Sequence, residues 1–183
     1  GAGSNSNQVT ELDVSNNILL EELRIGNNPI DRLSKVTGLS SLFNLTYLGL
    51  QGLNLYDLDG LDALTLTSFA FPSRVYNGIT FDLSNFNLGD IYCSTHGLRT
   101  LDVSSQTNCW SLFLYYATSL ETIIGLPNLV NLTRLRTGWN KLFIEDYTFF
   151  PLLEEVKYIN QNSTLNSRVF DFVSNSNLKL IEF

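Results

Sequence analysis

Basic residues are scarce in this chain. Lys and Arg number 11 against 18 Asp and Glu, which leaves a net charge of −7 and a pI near 4.5. Nucleic acid needs clustered cations to meet its phosphates, so that partner is excluded, and an anionic membrane surface with it. Long apolar runs are missing too, none approaching the roughly 18 residues of a bilayer span. The opening Gly1–Asn7 has neither the basic start nor the apolar core of a secretory signal. Residues 1–8 read instead as a flexible leader or a cloning remnant, and a spacer left after removal of a signal or lipid anchor would look the same.

Chemistry-bearing residues are equally thin. Cys93 and Cys109 are too few for a disulfide-built scaffold. The single histidine, His96, has Ser94 and Ser104 near it in sequence, but no nucleophile elbow or phosphate-binding loop frames them. A core or surface role for His96 is therefore preferred to catalysis, and neither an enzyme nor a cofactor is expected. Asp57, Asp59 and Asp62 crowd one connection, yet they lack the spacing of a calcium loop, and the leucines between them need to face a core. A solvated outer turn is the better reading, with no metal.

What the chain does hold is 44% apolar and 16% charged residues, a composition that folds. It also holds a repeat. The frame apolar-x-x-apolar-x-apolar starts at Leu20, Leu45, Leu66, Leu88, Cys109, Leu132, Leu153 and Leu178. Successive starts are 25, 21, 22, 21, 23, 21 and 25 residues apart. All seven intervals fall in the range of a leucine-rich repeat, and chance would not hold that register.

The last two apolar positions of each frame alternate as a strand requires, pointing inward while their neighbours point out. One coil cannot bury its apolar edge alone, so coils must stack and their strands pair in parallel. The predicted fold class is an α/β-type repeat solenoid, mostly β, with about eight parallel concave strands over residues 9–183. Its convex segments are short: 3₁₀, helical or extended. Ile30, Leu33, Val36, Leu39, Leu42 and Leu45 fall three apart, and Leu53, Leu55, Leu58, Leu61 and Leu64 two or three apart, which suits 3₁₀ turns or a short helix. Leu12-Asp13-Val14-Ser15, Phe81-Asp82-Leu83-Ser84, Leu101-Asp102-Val103-Ser104 and, loosely, Phe170–Ser174 read as extended outer segments closed by a turn.

The segments Leu20–Ile30 (LEELRIGNNPI) and Leu132–Leu142 (LTRLRTGWNKL) match the leucine-rich-repeat core LxxLxLxxNxL. The L-D-V-S segments resemble those of bacterial cell-surface leucine-rich-repeat proteins, and the three-spaced leucines resemble internalin-type repeats. The resemblance covers residues 9–183. It implies a curved solenoid whose concave sheet binds proteins or other ligands, in an extracellular or cell-surface location that lipid anchoring through a removed segment would also fit. The chain departs from that pattern at the Asn that closes each turn. Asn28 and Asn140 keep it, while Leu53, Arg74, His96, Ala117 and Gln161 replace it, so those turns need other partners.

Cys93 and Cys109 fall on inward positions about five strand residues apart along the frame. At ~3.3 Å per residue that is roughly 16 Å, too far for a disulfide, so both are expected to be core thiols. The outward positions are more informative. Tyr92, Phe113, Tyr115, Arg134 and Arg136 collect on three adjacent strands with Trp139 just beyond, and Tyr47 is a further outward aromatic. Tyr, Trp and Arg dominate interface hot spots. Aromatic residues also favour strands and shield one another across a sheet. The binding reading is preferred because a basic pair stands out on an acidic chain. A protein partner is expected, with a glycan as the alternative, since flat aromatic faces also suit sugar rings, and a ligand-free spacer as a third. Asn44, Asn131 and Asn162 begin N-x-T sequons, which matter only on a eukaryotic secretory route. At the last frame, either Lys179 and Glu182 protect the strand edge or chains self-associate through it.

Overall fold

In the computed structural model the residues described are 9–25, 33–55, 57–58, 60–72, 74–75, 81, 83–94, 97–140, 142, 144, 146–159 and 172–182. The leader 1–8, Asn28, Asp59, Asp82, His96, Gln161, Asn162, Phe170 and Asp171 lie outside them. In chain order the strands are β1 (Glu11–Asp13), β2 (Glu22–Arg24), β3 (Lys35–Thr37), β4 (Tyr47–Gly49), β5 (Asn54–Leu55), β6 (Asp57–Leu58), β7 (Ser68–Ala70) and β8 (Arg74–Val75). They continue with β9 (Asp90–Tyr92), β10 (Thr100–Asp102), β11 (Ser111–Tyr115), β12 (Thr122–Ile124), β13 (Arg134–Gly138), β14 (Glu155–Ile159) and β15 (Leu180–Glu182).

Each of the eight repeat frames falls on one strand of a single parallel sheet, ordered β2-β4-β7-β9-β11-β13-β14-β15. The second residue after each frame start stands beside its equivalent one coil away: Glu22, Tyr47, Ser68, Asp90, Ser111, Arg134, Glu155 and Leu180 form one row. That register keeps the apolar positions inward. Leu48, Phe69, Ile91, Leu112, Leu135 and Val156 are buried in one ladder, and Leu50, Phe71, Cys93, Leu114 and Tyr158 in the next. Thr137 takes the inward place in β13, and its hydroxyl accepts from Asn140 Nδ2 at 2.7 Å. The chain is thus a mostly-β leucine-rich-repeat solenoid.

The outer wall carries both kinds of connection. The three-spaced leucines form 3₁₀ turns at Leu39–Ser41 and Leu61–Ala63, and a third spans Leu126–Asn128. The L-D-V-S segments at Leu12 and Leu101 are extended, contributing β1 and β10. In both, the Asp carboxylate accepts the backbone N–H of the following Ser at 2.9 Å, the Asx turn that stops the strand. Phe81 and Leu83 belong to no strand. The outer strands pair as β1-β3-β6, β5-β8 and β10-β12, so the wall is interrupted where the long sheet is continuous.

Side-chain amides tie coil to coil. An Asn directly before the frame start donates to a carbonyl of the preceding coil: Asn44 to Ile18 at 3.0 Å, Asn131 to Thr107 at 2.9 Å and Asn177 to Pro151 at 3.1 Å. Two of the three sequon asparagines therefore have a structural use that their glycosylation pattern does not indicate. Asn140 closes its turn as expected, donating to Leu114 O at 2.8 Å and accepting from Leu142 N at 3.1 Å. At Ala117 the missing Asn is replaced by backbone bonds, Thr118 N to Tyr116 O and Leu120 N to Ala117 O, both 2.8 Å.

Candidate functional site

The outward residues of the long sheet form rows, because side chains of a strand alternate and parallel neighbours stand in register. The third row runs Arg24, Gly49, Ala70, Tyr92, Phe113, Arg136, Lys157, Glu182. Its centre is an interacting chain of three groups. Tyr92 and Phe113 hold their ring centroids 6.0 Å apart, and the Arg136 guanidinium lies 4.8 Å from the Phe113 centroid. Tyr92 is 40% exposed, so its ring stays available at the surface.

Arg136 is not a loose cation. Its Nε and Nη2 both donate to the Glu155 carboxylate, the second at 2.9 Å. The guanidinium beside Glu155 holds that carboxyl below its usual range, overcoming the opposing effect of burial. A Glu whose folded pKa is depressed adds stability that is present above its ordinary pKa near 4.5 and lost as pH falls through the folded value. Replacing Glu155 with Gln is expected to cost about 1–2 kcal/mol at pH 7, discounted for the pair's partial exposure. Urea unfolding should show this difference shrinking below pH 4.

Lys157 pairs with Glu182 at 2.8 Å and Lys179 with Glu154 at 2.9 Å, ion pairs that link the last strand to the coil before it. Arg134 behaves differently from Arg136. It is exposed, and its guanidinium lies 5.4 Å from the Trp110 ring centroid.

Beyond the third row the face ends in an aromatic rim. Tyr115 meets Trp139 edge-on at 6.3 Å, and Trp139 stacks on Tyr116 at 4.5 Å with only 10° between the planes. Tyr116 and Trp139 occupy the same place in consecutive coils, seven residues after Cys109 and Leu132, and have φ of 60° and 48°. The equivalent place in the second coil, seven residues after Leu45, is Gly52 at φ 80°. The left-handed backbone costs a bulky side chain roughly 1–2 kcal/mol. Two large rings thus stand where glycine would be cheaper, and Tyr116 remains 51% exposed. The sequence reading placed Trp139 here but missed Tyr116 and Trp110; the signal was available in the equal spacing of Tyr116 and Trp139 from their frames.

Of the outward residues singled out from sequence, Tyr92, Phe113, Arg136, Tyr115 and Trp139 come together, with Arg134 at their margin. Tyr47 does not join them. It lies on β4, two strands from Tyr92 and in the first row; its ring covers Gly49, and Arg24 lies 4.3 Å from its centroid.

Cys93 and Cys109 are buried and not joined by a disulfide, and burial pushes the Cys109 thiol up to about 12. Asp57 lies in β6 and Asp62 in a 3₁₀ turn. Among the described residues no group of three or more His, Cys, Asp or Glu is placed to hold a metal ion. No helix among them is long and apolar enough to cross a membrane.

No protein-family model and no curated protein matches the chain. Among solved structures it is similar to internalin C2 from Listeria monocytogenes, at 22% identity and a TM-score of 0.43, over 89% of this chain and 80% of that one. It is also similar to the functional domain of InlJ from Listeria monocytogenes, at 17% identity and a TM-score of 0.33, over 92% of this chain and 57% of that domain.

Proposed function

We propose that the chain is a non-catalytic binding module that engages a protein partner through the solvent face of its long sheet, on a bacterial surface or in a secreted protein. The observation that carries this reading is the aromatic tract from Tyr92 through Phe113 and Tyr115 to the stacked Tyr116–Trp139 pair. Rigid rings bury much area at little entropic cost, and a guanidinium already held by Glu155 adds a fixed donor beside them. Structural shielding alone does not account for two rings held at left-handed positions on the rim.

The test leaves Arg136 intact, because its removal would strand Glu155. Tyr92→Ala combined with Tyr116→Gly removes two exposed rings, and the glycine relieves backbone strain. Wild type and this variant, screened side by side on arrays of extracellular proteins and of glycans, should share their thermal midpoint within a few degrees. A protein ligand bound by wild type is expected to lose at least tenfold in affinity. A protein ligand held equally by both would overturn the assignment of the face. A glycan lost in the variant would replace the protein reading with the sugar-binding one.

A further inference from the structure

The outer wall has an opening that the long sheet does not. In the first coils β3 is paired on both sides, with β1 and with β6, and its central residue Val36 is fully buried. β12 occupies the equivalent place: Gly38 and Gly125 each follow directly and begin the 3₁₀ turns Leu39–Ser41 and Leu126–Asn128. Yet among the described residues β12 pairs on one side only, with β10. Thr122 N donates to Arg99 O and Ile124 O accepts from Val103 N, so Thr122 and Ile124 turn their backbone groups to β10. Alternate residues of a parallel strand turn theirs the opposite way, which aims the N–H and C=O of Ile123 outward. No described backbone group bonds to them there.

Of the following coil, Leu142 and Ile144 are described beside this edge, and both side chains are buried. The Tyr158 hydroxyl accepts from Ile144 N at 3.1 Å and donates to Leu142 O at 3.2 Å. Ile144 N and Leu142 O are thereby used. A groove of about 390 Å³ is left beside β12, floored by Ile123, Leu126, Leu142 and Ile144, walled by Phe149, and flanked by Glu121 and Asp146. Its hydrogen-bonding edge calls for a strand, its floor for apolar side chains, and Asp146 on its flank for a cation.

We propose that this groove, separate from the long-sheet face, accepts an extended peptide segment of a partner protein as the missing third strand beside β12. The segment alternates apolar residues, which enter the groove, with Lys or Arg that meets Asp146. Main-chain bonds to Ile123 supply the register, and the floor supplies the preference for apolar residues. Asp146 is exposed, and its bonds from Thr148 lower its pKa, so it is charged at neutral pH.

The probe is a displayed library of random linear dodecapeptides, selected on the whole chain. Enriched peptides should alternate apolar and basic residues, and should bind Ile123→Pro at least tenfold more weakly. Proline there removes an N–H that bonds to no described group. Asp146→Asn keeps the oxygen that accepts from Thr148 N and should weaken the basic peptides about threefold. Amide exchange at Ile123 should slow in the complex. If Ile123→Pro unfolds, the same selected peptide N-methylated at alternate amides gives the answer: one methylation phase abolishes binding and the other preserves it. The proposal is overturned if no alternating peptide is enriched, or if both methylation phases bind equally. It also falls if exchange slows on the long sheet instead, or if Ile123 becomes protected with concentration in the unliganded chain, which would assign the edge to a second copy.

Discussion

Phe69→Ala is expected to lower the unfolding free energy by about 4 kcal/mol, the largest loss from any single truncation considered for this chain. Phe69 is 1% exposed and sits in an aromatic knot that fills the middle of the solenoid. Its ring lies 4.4 Å from Phe71, 5.7 Å from Phe81 and 5.8 Å from Phe86, while Phe71 and Phe81 are 5.0 Å apart. Phe69 and Phe71 come from the long sheet, and Phe81 and Phe86 from the connection that returns behind it. Removing the first ring leaves the others facing a cavity that the close-packed core fills only in part. Urea unfolding followed by far-UV circular dichroism measures the loss. Phe43→Ala is the control: that ring is 77% exposed and should cost under about 0.5 kcal/mol. A cost below about 1.5 kcal/mol at Phe69 would mean that the connection does not pack on the sheet as described.

Gly125→Ala is expected to cost at least about 3 kcal/mol, although it adds one methyl group. Gly125 has φ +77°, and a Cβ there would lie 2.3 Å from Ser104 Cα and 2.6 Å from Ser104 N. Those are backbone atoms that a rotamer change cannot move aside. Gly38 repeats the arrangement, with a Cβ 2.4 Å from Ser15 N, so Gly38→Ala should cost a similar amount. In both places the Ser that closes an L-D-V-S segment rests directly on the Gly that opens the next 3₁₀ turn. The two kinds of outer connection are thus parts of one stacking contact. Guanidinium unfolding of the two variants checks it, and a cost under 1 kcal/mol at both positions would remove the close approach.

The long sheet was legible in the sequence because its determinant is local and periodic. An inward pair recurs every 21 to 25 residues, and all eight frames became strands in the expected order. The 3₁₀ turns at Leu39 and Leu61 and the extended segments at Leu12 and Leu101 were legible for the same reason. The binding face was legible only as a set of outward residues. That Arg136 is held by Glu155 depends on a diagonal contact between neighbouring strands, 19 residues apart in sequence, and spacing alone does not single out that carboxylate among its neighbours. Tyr47 was grouped with the face by residue type, whereas two intervening strand steps separate it. The bonds of the Tyr158 hydroxyl to Ile144 N and Leu142 O had no sequence signal, because they depend on where that ring reaches beside β12.

The two tryptophans report directly on whether the proposed face is covered. They are the only ones in the chain, and both border the proposed face: Trp110 beneath Arg134, and Trp139 stacked on Tyr116. Acrylamide quenching of their fluorescence, measured with and without a saturating protein ligand from the array, reports whether that face is covered. The quenching constant is expected to fall at least twofold on binding. Unchanged quenching at saturation would place the ligand elsewhere and contradict the assignment of the face.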